Sequence, residues 1–219
     1  MLLHLSRPGA GRPLSLTGIT SLPDQHAQAS LRLHNYISST APGLSSVHID
    51  LYLGDAVFTP RLHRASQHAP KHPLDPSSPT IENFTSIIAL DCAYHFRTRE
   101  LFLSQCFERL HPVVGRISLA DMCFEPFLDC SPLAVFFARC VARILSVPSS
   151  NLVTREEYRT QMERIGYTDI VIEDISVNVF PGFTTFLSTK GLMWKLFAKI
   201  ILIWWSGGGK FILVNGRRQ

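Results

Sequence analysis

What this chain of 219 residues lacks narrows its function before any motif is considered. Its five cysteines, at 92, 106, 123, 130 and 140, form no CxxC pair and are odd in number. That argues for reduced intracellular thiols and against a disulfide framework. A dense Lys/Arg block is missing as well: 21 basic residues against 17 acidic leave +4, with part of the excess at Arg217 and Arg218. Nucleic acid is therefore not expected as a partner. The apolar start of "MLLHLSRPGAGRPLSL" is too short for a signal-peptide core, and its arginines follow that core instead of preceding it. A cytoplasmic location is expected.

No apolar run reaches bilayer length. The greasiest, "GLMWKLFAKIILIWW" (191–205), would extend about 21 Å from Leu192 to Trp205 at ~1.5 Å per helical residue, short of a ~30 Å hydrocarbon core. Lys195 and Lys199 lie one helical turn apart on it. A buried helix with a snorkelling lysine edge is the plainer reading. Contact of residues 192–205 with a membrane surface is the sharper one. No internal repeat is visible.

What is present suffices for one sizeable core, because 46% of the residues are hydrophobic. Strand-like and helix-like segments alternate. "LSLTGITS" (14–21) precedes a helix opened by Pro23 and Asp24. "VHIDLYL" (47–53) alternates apolar and polar residues. Residues 58–83, rich in Pro, His and Ser, read as a long surface loop. "FTSIIALD" reads as a strand buried on both faces, "TRELFLSQCFERL" as a helix and "RISLAD" as a strand. "SPLAVFFARCVARILS" is a helix, and "TREEYRTQMERIG" another, with Thr154 as N-cap, Glu157 at the capping-box position and Gly166 as stop. "DIVIEDIS" and "KFILVNG" are late strands flanking an apolar helical segment at 183–205. Such alternation predicts a parallel, doubly wound α/β sheet with helices on both faces.

In sheets of that kind ligands bind beyond the carboxyl ends of the strands. Three strands here run into acids: Asp55, Asp91 and Asp121. His95 stands four residues past Asp91, where an imidazole can take a proton near neutral pH, with Asp121 to orient it. A capping role for both residues is the plainer alternative. Cys92 could pair with His95 as a nucleophile, but cysteine at a strand end is more commonly a small buried hydrophobe. The spacing of His63, His68 and His72 fits neither a helical ligand pair nor a finger, so no metal is expected. The aromatics near the acids, Tyr94, Phe96, Phe124 and Phe127, suit a hydrophobic substrate and equally suit a core.

The runs "GITSLPDQHAQASLR", "LYLGDAV" and "IIALDCAYHFRTRELFLSQCFERLHPVVGRISLADM" resemble class I S-adenosylmethionine-dependent methyltransferases. The likeness is to the small-molecule branch that includes the tocopherol, sterol-like and macrolide-sugar O-methyltransferases, and it covers residues 14–125 best. It implies a Rossmann-like methyltransferase domain over 14–219 with S-adenosyl-L-methionine as cofactor. Thr20, Gln25, Asp55, Ala56, Leu90 and Asp91 would hold that cofactor. His95 and Asp121 would be catalytic, and Tyr94 and Phe96 would touch the acceptor. The methyl group would pass to a hydroxyl, or to a nitrogen or carbon, of a small hydrophobic molecule.

One element of the pattern is missing. The family's first strand, its acid and its glycine-rich turn would precede residue 14, where only Gly9 and Gly11 resemble the turn. A parallel crossover needs about a dozen residues or more, so residues 1–13 read as irregular or vestigial and the sheet as N-terminally incomplete. A different class stays open on that account: an inactive methyltransferase-like fragment serving as an interaction module.

Overall fold

The structure, a computed structural model, describes residues 15–40, 47–60, 71–78, 83–97, 99–125 and 132–219. The chain divides into two compact units, Met1–Ile81 and Glu82–Gln219, where a single domain from residue 14 onward was expected. Hydrogen bonding accounts for the division. Among the described residues the strands form two separate sheets, one of two strands and one of four.

The first unit is a strand–helix–strand: β1 (Ser15–Thr20), α1 (Pro23–Thr40) and β2 (His48–Leu53). Pro23 and Asp24 open α1 as expected, the fixed proline φ and the acid both suiting a helix N-terminus. β1 and β2 are parallel, with Ser15 opposite His48 and Thr20 opposite Leu53. Their carboxyl ends therefore lie side by side, and the Gly54 N–H donates to the Thr20 carbonyl at 2.9 Å. Of the expected loop at 58–83, residues 71–78 form turns in which His72 and Leu74 are buried. Residues 1–13, with Gly9 and Gly11, lie outside the described residues.

The second unit begins with β3 (Ser86–Leu90), a 3-10 turn (Ala93–His95), α2 (Arg99–Arg109) and β4 (Arg116–Phe124). It continues with α3 (Pro132–Ile144), a second 3-10 turn (Ser149–Asn151) and α4 (Arg155–Ile165). β5 (Tyr167–Asp174), α5 (Ser176–Ser188), α6 (Leu192–Ser206) and β6 (Gly209–Arg218) complete it. The strand order is β3-β4-β6-β5, with β3 parallel to β4. β6 runs antiparallel to both of its neighbours, so the sheet is mixed and not wholly parallel as expected. The reason is the pair of helices between β5 and β6. One leads out and one leads back, returning the chain to the end where β5 finished, and the Ile175 N–H donates to the Phe211 carbonyl there.

Local signals hold where they are strongest. The Thr154 side chain accepts from the Glu157 N–H at 3.1 Å while Glu157 Oε2 accepts from the Thr154 N–H at 2.8 Å, and Gly166 ends α4 at φ 115°. Leu103, Leu110, Ile117, Leu119, Tyr158 and Met162 are buried between the helices and the sheet. Trp204 of α6 is buried against Phe124, ring centroids 5.4 Å apart.

One expectation fails. β3 is not buried on both faces, since Ile88 and Leu90 are 53% and 67% exposed. Among the described residues it hydrogen-bonds only to β4, so one edge and one face have no cover. The apolar segment 183–205 is helical, in two pieces. It breaks at Gly191, whose φ of 109° favours a residue without a Cβ, and so forms the hairpin α5–α6.

Candidate active site at the end of β3

Strand β3 stops at Leu90, and Asp91 then takes a left-handed φ of 56°, which aspartate tolerates better than most residues. Its N–H donates to the Ala120 carbonyl at 2.9 Å, which ties the turn to β4. The 3-10 turn that follows is locked onto the acid: the Tyr94 hydroxyl donates to Asp91 Oδ1 at 2.7 Å. Burial, reinforced by that bond and the Asp91 charge, raises the Tyr94 phenol far above its ordinary range. Tyr94 thus acts as a neutral donor that fixes the carboxylate.

His95 is exposed on the same turn, its ring lying 4.2 Å from that of Tyr94. Its Nδ1 sits 3.1 Å from the Ser146 carbonyl. A carbonyl only accepts, so Nδ1 carries a hydrogen, and in the neutral ring Nε2 has the lone pair. Asn151, itself buried, donates from Nδ2 to the carbonyls of Tyr94 (2.9 Å) and Phe96 (2.7 Å) and clamps the turn from the far side. The Phe96 ring packs edge-on against buried Phe102, centroids 5.0 Å apart. Ser146 and Asn151 were not foreseen. Both lie more than fifty residues downstream, in a Ser/Pro-rich turn whose composition says nothing about its partner.

Asp121 differs from its expected position. β4 continues to Phe124, so the residue is inside the strand and not at its tip. Its side chain is fully buried, with Oδ2 accepting from Tyr158 at 2.8 Å and from Arg99 Nη1 at 3.3 Å, and Oδ1 from the Met122 N–H at 2.8 Å. Burial pushes its carboxyl above the usual carboxylate range, while the Arg99 guanidinium and the Tyr158 hydroxyl oppose the shift. Arg99 lies 4.3 Å above the Tyr158 ring, completing a closed cluster. The partner that orients His95 is the Ser146 carbonyl. Cys92 reads as a protonated thiol: burial, with Asp121 and Asp91 adding to it, pushes it up to about 11.

The remaining cofactor candidates belong to the first unit. Thr20 ends β1, where its Oγ1 and Gln25 Oε1 are 3.2 Å apart and its Oγ1 accepts from the Leu22 N–H. Asp55 follows Gly54 at the end of β2, its Oδ1 accepting from the Val57 N–H at 3.0 Å, and Ala56 is half-buried beside it. Sequence reasoning gave His72 no part in this turn. Its Nδ1 accepts from the Leu74 N–H, so its Nε2 carries hydrogen and donates to the Asp55 carbonyl at 2.8 Å. No group of three or more His, Cys, Asp or Glu residues able to hold a metal occurs among the described residues, and His63 and His68 fall outside them.

Neither a family model nor a curated protein sequence matches this chain. Solved structures do. Geranyl diphosphate methyltransferase in complex with S-adenosylmethionine superposes with a TM-score of 0.63 at 13% identity, covering 95% of this chain and 70% of that one. The [4+2]-cyclase SpnF gives 0.61 at 14%, covering 99% and 69%. Geranyl diphosphate C-methyltransferase from Streptomyces coelicolor A3(2), with Mg2+, geranyl diphosphate and S-adenosylhomocysteine, gives 0.61 at 15%, covering 93% and 63%. These likenesses establish a Rossmann-like α/β fold of the kind found in S-adenosylmethionine-dependent methyltransferases. The cyclase among them shows that the fold alone does not dictate the reaction.

Proposed function

We propose that this chain is an S-adenosylmethionine-dependent methyltransferase acting on a hydroxyl, or a nitrogen or carbon, of a small hydrophobic molecule. One observation carries the reading: the turn after β3 presents an exposed carboxylate and an exposed imidazole, Asp91 held by buried Tyr94 and His95 by the Ser146 carbonyl. The fold shared with cofactor-bound methyltransferases supports it.

The residues present fit such a cofactor. In the second unit Asp91 is an exposed carboxylate just past a strand end, with Oδ1 engaged by Tyr94 and Oδ2 without a partner among the described residues. There we assign Asp91 and Leu90 to the methionyl side. Within the first unit, taken by itself, Thr20, Gln25, Asp55 and Ala56 stand at or just past the ends of the parallel strands β1 and β2, where a nucleoside cofactor would be held. When bound, the cofactor supplies an electrophilic methyl group on a sulfonium.

The protein's own share is alignment and proton removal. His95 Nε2 takes the proton from the acceptor hydroxyl, and the Ser146 carbonyl stabilises the imidazolium through Nδ1–H. Asn151 and Tyr94 hold the turn in register. Phe96, half-buried, offers apolar surface to the acceptor. Asp121 serves as a positioning residue, tying β4 to α2 and α4 through Arg99 and Tyr158.

Transfer of labelled methyl from S-adenosylmethionine to a panel of hydrophobic alcohols, phenols and amines tests this reading. His95→Ala should lower turnover by about 10²-fold or more and leave the KM for the cofactor nearly unchanged. Equal turnover in the variant would strike His95 from the mechanism.

A further inference from the structure

The hairpin α5–α6 carries more exposed apolar surface than any role in the core explains. Along α6, Leu192, Lys195, Leu196, Lys199, Leu202 and Ile203 are all exposed, and their three- and four-residue spacing puts them on one helical face. The opposite face, Ala198, Ile201 and Trp204, is buried. At the hairpin turn Phe183, Phe186, Met193 and Trp194 are also exposed, Met193 by 76% and Trp194 by 49%. The face ends in a shallow concavity of about 520 Å³ with walls of Leu202, Ile203 and Trp205 and with Lys210 at its rim.

Charge identifies the occupant. After Asp174 the chain contains no acidic residue, only six basic ones. Lys190, Lys195 and Lys199 make no ion pair among the described residues, and the Lys190 ammonium rests 4.6 Å above the Phe186 ring. A second copy of the chain docked face to face would oppose lysine with lysine. An acidic surface that also accepts apolar side chains suits both features, and an anionic bilayer is such a surface. No helix among the described residues is long and apolar enough to cross a membrane. The fit is therefore to a helix lying in the headgroup layer, its apolar side chains entering by roughly 5–10 Å.

We infer that the exposed face of α6 and the tip of the α5–α6 hairpin bind the surface of anionic phospholipid membranes, with Leu196, Leu202 and Ile203 from that face and Met193 and Trp194 from the tip inserted and Lys195 and Lys199 on the headgroups. This surface is independent of any methyl transfer. It differs from the reading of 192–205 as a buried helix with a snorkelling lysine edge, and Trp204 takes no part in it, because that ring is in the core.

Co-sedimentation of the full chain with phosphatidylcholine vesicles, with and without phosphatidylserine, tests the inference. Binding should require phosphatidylserine and weaken with salt. Lys195→Gln with Lys199→Gln should lower partitioning about 25-fold, at about fivefold for each lysine. Met193→Ser with Trp194→Ser should lower it by at least about tenfold. All four positions are exposed, so the fold should persist, as near-ultraviolet circular dichroism would check. Trp194 emission should shift to the blue on anionic vesicles, and Trp194→Phe should abolish the shift. Three results would each overturn the inference: no sedimentation of the folded chain, binding that ignores both double variants, or lipid-free self-association that the same variants abolish.

Discussion

Replacing Asp121 by Asn separates a structural carboxylate from a catalytic one. The wild-type carboxylate accepts from Arg99, Tyr158 and the Met122 N–H, and nothing of it reaches solvent. Arg99 is equally enclosed, and its Nε and Nη2 already have no partner. Asn keeps the shape but removes the negative charge, leaving a buried guanidinium without a counter-ion. Breaking one side of such a pair costs about 3–5 kcal/mol, whereas an exposed catalytic acid would cost within about 0.5 kcal/mol. The assay is urea unfolding followed by tryptophan fluorescence. All three tryptophans, at 194, 204 and 205, lie in the second unit, so the signal reports that unit alone. The expected loss is about 3 kcal/mol for Asp121→Asn. Combining Asp121→Leu with Arg99→Met should return most of it, since an apolar pair of similar volume carries no buried charge. An Asp121→Asn midpoint equal to wild type would refute the closed-cluster account and reopen a catalytic role.

Two further outcomes can be checked separately. Peptide-resolved alkylation should modify exposed Cys140 well before Cys92. With its thiol pushed up to about 11, Cys92 is protonated through the neutral range, and its labelling should rise about tenfold per pH unit from pH 8 upward. Equal labelling of both cysteines at pH 8 would contradict this. At Gly209 an added Cβ would lie 2.0 Å from the Trp204 indole nitrogen, so Gly209→Ala should destabilise the second unit by about 1–3 kcal/mol through overpacking and shift the indole emission. An unaltered midpoint and spectrum would mean the close approach is absent.

The elements that sequence patterning located best are those with local chemistry. Thr154, Glu157 and Gly166 bracket α4 because capping is settled within one helical turn. Pro23 and Asp24 likewise mark the start of α1. Strand burial was less legible, because apolar composition cannot report whether both faces of a strand are covered, and Ile88 and Leu90 lie on an exposed face of β3. Direction was hidden too: the mixed sheet follows from a helical hairpin, and the polar break at Ser188–Gly191 does not itself say that the chain turns back there. At the candidate site, the position of Asp91 and His95 just past β3 was legible from the end of the apolar run. Ser146, Asn151 and His72 act through carbonyl and side-chain contacts across 51, 57 and 17 residues, which no spacing rule reaches. Asp121 misled because "ISLAD" ends in an acid, although the strand itself runs on to Phe124.

The most direct measurement of the central claim is titration calorimetry of the folded chain with S-adenosylmethionine. The account predicts saturable binding at one site, weakened about tenfold by Asp91→Asn through loss of a charge-assisted contact. A chain that retains its native tryptophan signal yet releases no binding heat at millimolar cofactor would contradict it.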